Sequence, residues 1–278
     1  MKLDRLINTR FLGRPYRPTA RRFEQERAWA RQSAGPFAAC MLDILPIRSM
    51  VDVGCGSGHW LQVFQQYGVE RILGIDGAYT DRDRLQIDPA CFIAHDLNQP
   101  IGPLGLGRFD LAMSVEVGEH LRPERAEGLV DDLCALADVA MYGAAIKGQG
   151  GDQHVNEQWQ SYWVSKFLRR GYLAYDVLRP AVWSNPEVTC WYKQNTILYV
   201  KRGSPAHVEI AARFSEPSTR MFDVVHPETY DHHLATKRGL RRLEKNIMRI
   251  VSQLTGIPRR TRQPLSGDEH IVDHQARY

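Results

Sequence analysis

The side chains best suited to chemistry sit in one short window and one outlier. Glu116, Glu119 and His120 occupy the run Glu-Val-Gly-Glu-His directly after an apolar stretch, and His154 follows the next such stretch. In a helical conformation, positions i, i+3 and i+4 are neighbours, which would put both carboxylates and the imidazole on one face. Two carboxylates with one or two imidazoles form a ligand set for a divalent ion. Oxygen ligands alone suit magnesium, while imidazoles shift the preference toward manganese, iron or zinc. Without an ion, the same groups line a polar pocket, with His120 or His154 as a base and Glu116 beside it.

A second cluster is built around glycine. Val51-Asp-Val-Gly-Cys-Gly-Ser-Gly58 has glycines at every second position, where the backbone must turn tightly and approach a ligand closely. A dinucleotide loop has the spacing G-x-G-x-x-G and receives a pyrophosphate. Here Asp52 stands two residues before Gly54, and a carboxylate that close would repel phosphate. It suits a ligand carrying an ammonium group and a sulfonium. Asp52, Gly54, Cys55, Gly56 and Gly58 are therefore expected to touch that ligand. Asp76, followed by Gly77, can accept both hydroxyls of a ribose. Asp96 with Leu97 can meet an adenine, and Ser114 and Val115 end a run that would pass beneath the ligand.

These residues need elements to hold them at strand ends. Ser49–Val53, Arg71–Ile75, Cys91–Ala94, Phe109–Val115 and Asp138–Ile146 are short apolar runs. Tyr172–Leu178 and Thr196–Val200 are later ones. Helical spacing marks His59–Tyr67, the stretch after Pro123 with Leu129, Val130, Leu133 and Leu136, and Glu157–Arg170. Strands alternating with helices predict βαβ units and a mostly parallel sheet covered on both faces. The expected boundaries are a helical lead-in over 1–45, the ligand-binding α/β domain over 46–203, and a partly helical extension over 204–278.

Length and composition agree. A chain of 278 residues suits one α/β domain with extensions or about two units, and 43% apolar with 24% charged residues excludes disorder, collagen and coiled coil. No run approaches the roughly 20 apolar residues of a membrane span. Five scattered cysteines without a Cys-x-x-Cys pair argue against a disulfide framework or a cysteine zinc site. A cytoplasmic protein is expected. Ten Lys/Arg stand against four Asp/Glu over 1–48, fourteen against nineteen over 49–204, and twelve against nine over 205–278. Basic ends around an acidic body can attract anionic partners. Leu240–Leu254 reads as a basic amphipathic helix, expected to pack on protein and to offer a homodimer contact.

With DVGCGSG, GID, HDL and FDLAMSVEVGEHL in this order, residues 45–202 resemble the class I S-adenosylmethionine-dependent methyltransferases. The resemblance implies a Rossmann-like sheet of seven strands, the last antiparallel, with S-adenosylmethionine over the glycine loop. It assigns Asp52 to Gly58 to the methionine part, Asp76 to the ribose, and Asp96 with Leu97 to the adenine. The Glu-x-x-Glu-His run is similar to that of O-methyltransferases of ubiquinone biosynthesis and of small-RNA 3′-end methylation. There it implies a divalent ion gripping the acceptor oxygens through Glu116, Glu119, His120 and His154. The runs His154-Val-Asn-Glu-Gln158, Trp191-Tyr-Lys-Gln-Asn195 and Val225-His-Pro-Glu228 are similar to small bacterial methyltransferases often encoded beside glycosyltransferases. The expected activity is O-methylation of a small polar acceptor such as a sugar or glycan intermediate, with Asn156, Trp159 and Tyr162 on its side. RNA or quinone methylation, and cofactor binding without turnover, are the alternatives.

Overall fold

The computed structural model describes residues 20–215, 221–236 and 239, with side chains from residue 28 onward. The amphipathic stretch Leu240–Leu254 and the dimer contact expected of it lie outside the described residues. The strands are β1 (Ser49–Val53), β2 (Arg71–Asp76), β3 (Phe92–Ala94), β4 (Leu111–Val115), β5 (Val139–Gly143), β6 (Tyr172–Tyr175) and β7 (Ile197–Lys201). The helices are α1 (Ala20–Ile44), α2 (His59–Gln66), α3 (Ala126–Leu136), α4 (Gln160–Arg169), α5 (Leu178–Val182), α6 (Cys190–Asn195) and α7 (Pro205–Arg213). Among the described residues, no helix is long and apolar enough to cross a membrane. The five cysteines are free thiols.

The seven strands form one sheet in the order β3-β2-β1-β4-β5-β7-β6, with β7 antiparallel to both of its neighbours and the other pairs parallel. Strand order reverses between β1 and β4. In an open α/β sheet, that reversal opens a crevice at the carboxyl ends of the strands. The glycine loop leaves β1, and Glu-Val-Gly-Glu-His leaves β4, so both line the crevice.

Alternation along the strands divides the core in two. Met50, Met113, Met141 and Leu198 pack on one face, against Phe37, Met41, Leu61 and Phe64 of α1 and α2. Val51, Ala112, Tyr142 and Tyr199 pack on the other, against Leu129, Leu133, Trp163 and Phe167 of α3 and α4. Strands buried on both faces can be apolar throughout, which explains the near-continuous runs.

Several bounds differ from the sequence reading. Ala20–Ile44 form one helix despite Pro36, because Ala34, Phe37, Ala38 and Met41 bury their side chains on one face. The stretch read as one strand to Leu178 ends at Tyr175, and α5 follows. The predicted helix from Glu157 begins at Gln160, since Glu157 is engaged with the preceding loop. Helices α5 and α6 escaped the sequence reading because five and six residues are too few to display a stripe. The compact unit reaches Asp231, and from His232 a second unit begins, of which 232–236 and 239 are helical.

The loop after β3 is held by a buried ion pair. Arg125 and Asp132 are each 8% exposed and bond to one another. The Arg125 guanidinium also donates to the carbonyls of Leu97 (2.9 Å) and Gln99 (3.1 Å), and Asp132 accepts from the Ile101 amide (3.1 Å). Breaking one side of a buried pair strands a charge. Arg125→Met is expected to lose about 3–5 kcal/mol of unfolding free energy in urea titrations. A loss under about 1 kcal/mol would show the pair to be solvated.

Candidate functional site

The glycine loop folds over β2. The Gly54 and Cys55 amides donate to the Ile75 carbonyl (2.8 and 3.3 Å), and Gly58 caps α2 with φ at 82°. Gly54 has φ at 91°, and a Cβ there would lie 2.2 Å from a methyl of Val117. Val117 belongs to the Glu-Val-Gly-Glu-His turn. Gly54 is thus where the two clusters of the sequence touch, and any side chain would drive them apart. At Gly56 a Cβ would meet no protein atom within 4 Å, so this backbone faces open space where a ligand can come close.

The loop is lined with buried acid. Asp52 and Asp76 are buried, and the Asp52 carboxyl is pushed well above its ordinary value by burial and then by the Asp76 carboxylate. Burial also raises Asp76, although three hydrogen bonds oppose it. Its Oδ2 accepts from the Gly56 amide, and its Oδ1 from the Gly77 amide and the Tyr79 hydroxyl, each at 2.6 Å. Burial and these same two carboxylates push the Cys55 thiol well up, so it is an unreactive wall. Burial disfavours the charged form of both carboxyls, so a cationic ligand brought beside them would offset that cost where a phosphate would add to it.

Asp96 is exposed, with Oδ1 accepting from the Asn98 amide and side chain, while Leu97 beside it is buried. Ser114 is fully buried within β4, and Val115 is half-buried at its end.

The segment after β4 does not take the helical conformation in which Glu116, Glu119 and His120 would share one face. Residues 116–120 form a turn, with Glu116 at φ 57°, a conformation few side chains hold. The Val155 and Asn156 amides bind the Glu119 carbonyl (2.8 and 3.0 Å), which ties the loop after β5 to this turn. Three of the four expected ligands nevertheless converge, while Glu116 stands beside them and outside the group. One ligand atom from each of Glu119, His120 and His154 lies within 4.8 Å of the others, and the two imidazole rings meet edge to face at 4.8 Å. Glu119 is fully buried, and among the described residues its carboxylate makes no well-formed hydrogen bond, although the Glu119 and Ala145 amides and the Glu116 carboxyl lie near it. Burial, reinforced by the Glu116 carboxylate, pushes it well up. Glu116 is raised by burial too, against the pull of the Asn195 amide and His154.

Four residues at this site went unassigned in the sequence. Glu157 lies 2.9 Å from His154 Nδ1 and accepts from the Gly148 and Gly150 amides, both at 2.8 Å. Burial works to raise the Glu157 carboxyl, but His154 and these amides leave it below its ordinary value. A carboxylate only accepts, so this hydrogen bond requires the proton on His154 Nδ1. Gln149, Gln194 and Asn195 surround Glu116. The glycines of Lys147-Gly-Gln-Gly-Gly151 were the available signal, since the His154 ring sits where a Cβ of Gly151 would be.

The acceptor-side residues are separated. Asn156 is buried and donates to the Gly118 carbonyl (3.3 Å), so it braces the turn. Trp159 is 38% exposed just before α4. Tyr162 turns toward α3: its ring lies 4.1 Å from the Lys166 ammonium, which pairs with Glu127, and it packs edgewise on Trp163.

A family model described as a methyltransferase domain matches residues 14–164. No curated protein matches the chain. Among solved structures, the chain is similar to the methyltransferase domain of the bacterial protein CtHen1-C, at 18% identity over 62% of this chain and 97% of that one, with a TM-score of 0.45. It is also similar to the magnesium protoporphyrin IX methyltransferase of Synechocystis PCC 6803 with bound S-adenosylhomocysteine, at 17% identity over 72% and 95% of the two chains (TM-score 0.48). A TehB-like methyltransferase of Corynebacterium glutamicum matches at 17% identity over 60% and 88% (TM-score 0.42).

Proposed function

The chain belongs to the methyltransferase domain family, and from that premise we propose an S-adenosylmethionine-dependent O-methyltransferase whose acceptor is a small polar molecule, a sugar or glycan intermediate. The observation that carries the reading is the Gly54–Val117 contact, which sets the acidic glycine loop against the Glu119–His120–His154 cluster.

S-adenosylmethionine supplies a methyl group already activated by a sulfonium. Asp52 faces its cationic methionine part, Asp76 its ribose, and Leu97 the adenine. The protein's remaining share is to orient an acceptor hydroxyl and take its proton, because an alcohol is a weak nucleophile until it loses that proton or binds a metal. Glu119, His120 and His154, with Glu116 beside them, fit a divalent ion: one ligand atom of each of the three lies within 4.8 Å of the others, both Glu119 oxygens lack a well-formed hydrogen bond among the described residues, and Glu157 holds His154 at Nδ1. Mixed carboxylate and imidazole donors favour manganese, iron or zinc over magnesium, and such an ion would hold and acidify acceptor oxygens. Trp159, exposed two residues beyond Glu157, offers a face against which a sugar can pack.

The test is transfer of labelled methyl from S-adenosylmethionine to pooled nucleotide sugars, quinols and RNA. Label in the sugar pool is expected. Label only in RNA or quinols would reject the acceptor class, and none in any pool from a protein that binds the cofactor would reject turnover.

Tyr79 gives a prediction with an unusual sign. A carboxylate has about four acceptor positions, and on Asp76 two backbone amides and the Tyr79 hydroxyl take three. Two ribose hydroxyls need two positions, so the Tyr79 hydroxyl has to leave. Tyr79→Phe is expected to tighten S-adenosylhomocysteine binding by about 2- to 10-fold, the worth of one net hydrogen bond. Weaker binding in calorimetry would place Tyr79 on the cofactor instead.

A further inference from the structure

Glu116 holds a left-handed backbone conformation, so its carboxylate has to be kept in place by its surroundings. Three buried or half-buried amides do this. Asn195 Nδ2 donates to Glu116 Oε1 at 2.8 Å, and Gln149 Nε2 reaches Oε2 at 3.4 Å. Gln149 Oε1 in turn accepts from Asn195 and Gln194, both at 3.1 Å, and Asn195 Oδ1 accepts from Gln194 at 2.9 Å. The relay ends outside the sheet, where Gln194 Oε1 accepts the His226 amide at 2.9 Å. His226 lies in segment 221–228, which is fastened from several sides. Gln160 donates to the Val224 carbonyl (2.9 Å) and Arg179 to that of Phe222 (2.8 Å), while Asp223 accepts from the Ser161 amide and hydroxyl (both 2.7 Å).

We propose that Asn195, supported by Gln149 and Gln194, is the positioning residue of Glu116 for a bound divalent cation, and that segment 221–228 locks this relay from outside the sheet. The inference rests on the metal reading of the Glu/His cluster. Its chemistry explains the residue type. A lysine or arginine would also hold Glu116, but its charge would neutralise the carboxylate and repel a dication. An amide donates a hydrogen bond and leaves the negative charge for the ion. The place of Asn195 is equally constrained: a Cβ at Gly143 would lie 3.0 Å from its backbone carbonyl carbon, so only glycine at the end of β5 lets α6 come this close.

The experiment is Mn²⁺ titration of the EDTA-stripped full chain, saturated with S-adenosylhomocysteine, following free Mn²⁺ by electron paramagnetic resonance. The unaltered protein is expected to bind one ion per chain. Outer-shell partners of metal ligands are typically worth 10–100-fold in affinity, so Asn195→Ala should weaken Mn²⁺ binding by about that factor, with S-adenosylhomocysteine affinity within twofold. Gln194→Met leaves Asn195 in place, cuts the relay one step further out, and should weaken Mn²⁺ less, in the same direction. Mn²⁺ affinity within twofold of the unaltered protein in both variants would overturn the proposal. So would a parallel fall in S-adenosylhomocysteine affinity, which marks a merely structural role. If the unaltered protein binds S-adenosylhomocysteine but no Mn²⁺, the metal reading itself fails and the inference goes with it.

Discussion

An Asp76→Ala variant should bind S-adenosylhomocysteine about 5- to 150-fold more weakly than the unaltered protein. The carboxylate is buried at the end of β2, its Oδ2 tied to the glycine loop through the Gly56 amide. Its removal takes away the acceptor for two ribose hydroxyls and leaves the Gly56 and Gly77 amides without their partner. Unpaired buried polar groups cost about 1–3 kcal/mol each, and one such loss already gives the stated range. Asp76→Asn is the control for volume: it keeps acceptor capacity on one atom and should fall between the two. Unchanged affinity in Asp76→Ala, measured by calorimetry on folded protein, would remove Asp76 from the binding site.

Loss of His154 is expected to act on turnover rather than on cofactor binding. Its ring meets His120 edge to face and is held by Glu157, while the glycine loop approaches the cluster through Val117. His154→Ala should therefore lower kcat by about 10²–10⁴-fold, the usual worth of a positioned acid, base or metal ligand, with S-adenosylhomocysteine affinity within about twofold. Exhaustive dialysis against EDTA should produce the same loss, and added Mn²⁺ should restore it. Full activity after dialysis would leave His120 or His154 as a general base in a metal-free pocket. An equal loss of cofactor affinity in His154→Ala would place this histidine on the donor instead of the acceptor.

The parts of this arrangement visible in the sequence are those governed by local pattern. Apolar runs read as β1 to β7 are strands because they are buried on both faces, and the aspartates and glycines that follow them mark the edge where the crevice opens. Helical spacing misled at Glu116–His120. That pattern describes neighbours on a helix, but a tertiary contact of Val117 on Gly54 and the binding of the Glu119 carbonyl by Val155 and Asn156 fold the segment as a turn. The side chains converge for a different reason from the one the spacing suggested. What stayed hidden depends on contacts distant in sequence. Asn195 meets Glu116 across 79 positions, and His226 meets Gln194 across 32; no periodicity announces either. Tyr162, expected on the acceptor side, has its ring 4.1 Å from the Lys166 ammonium, a contact that sequence does not announce.

The central claim is that an acidic glycine loop at the reversal between β1 and β4 binds a cationic nucleoside donor and not a phosphate-bearing one. Calorimetric titration of the full chain with S-adenosylmethionine, NAD⁺ and ATP tests it most directly. The buried pair Asp52 and Asp76 predicts one site per chain for S-adenosylmethionine and no competition from either phosphate ligand, because a cation offsets the cost of two buried carboxylates and a phosphate adds to it. Binding of NAD⁺ or ATP at this site, or absence of heat with S-adenosylmethionine up to millimolar concentration, would contradict it.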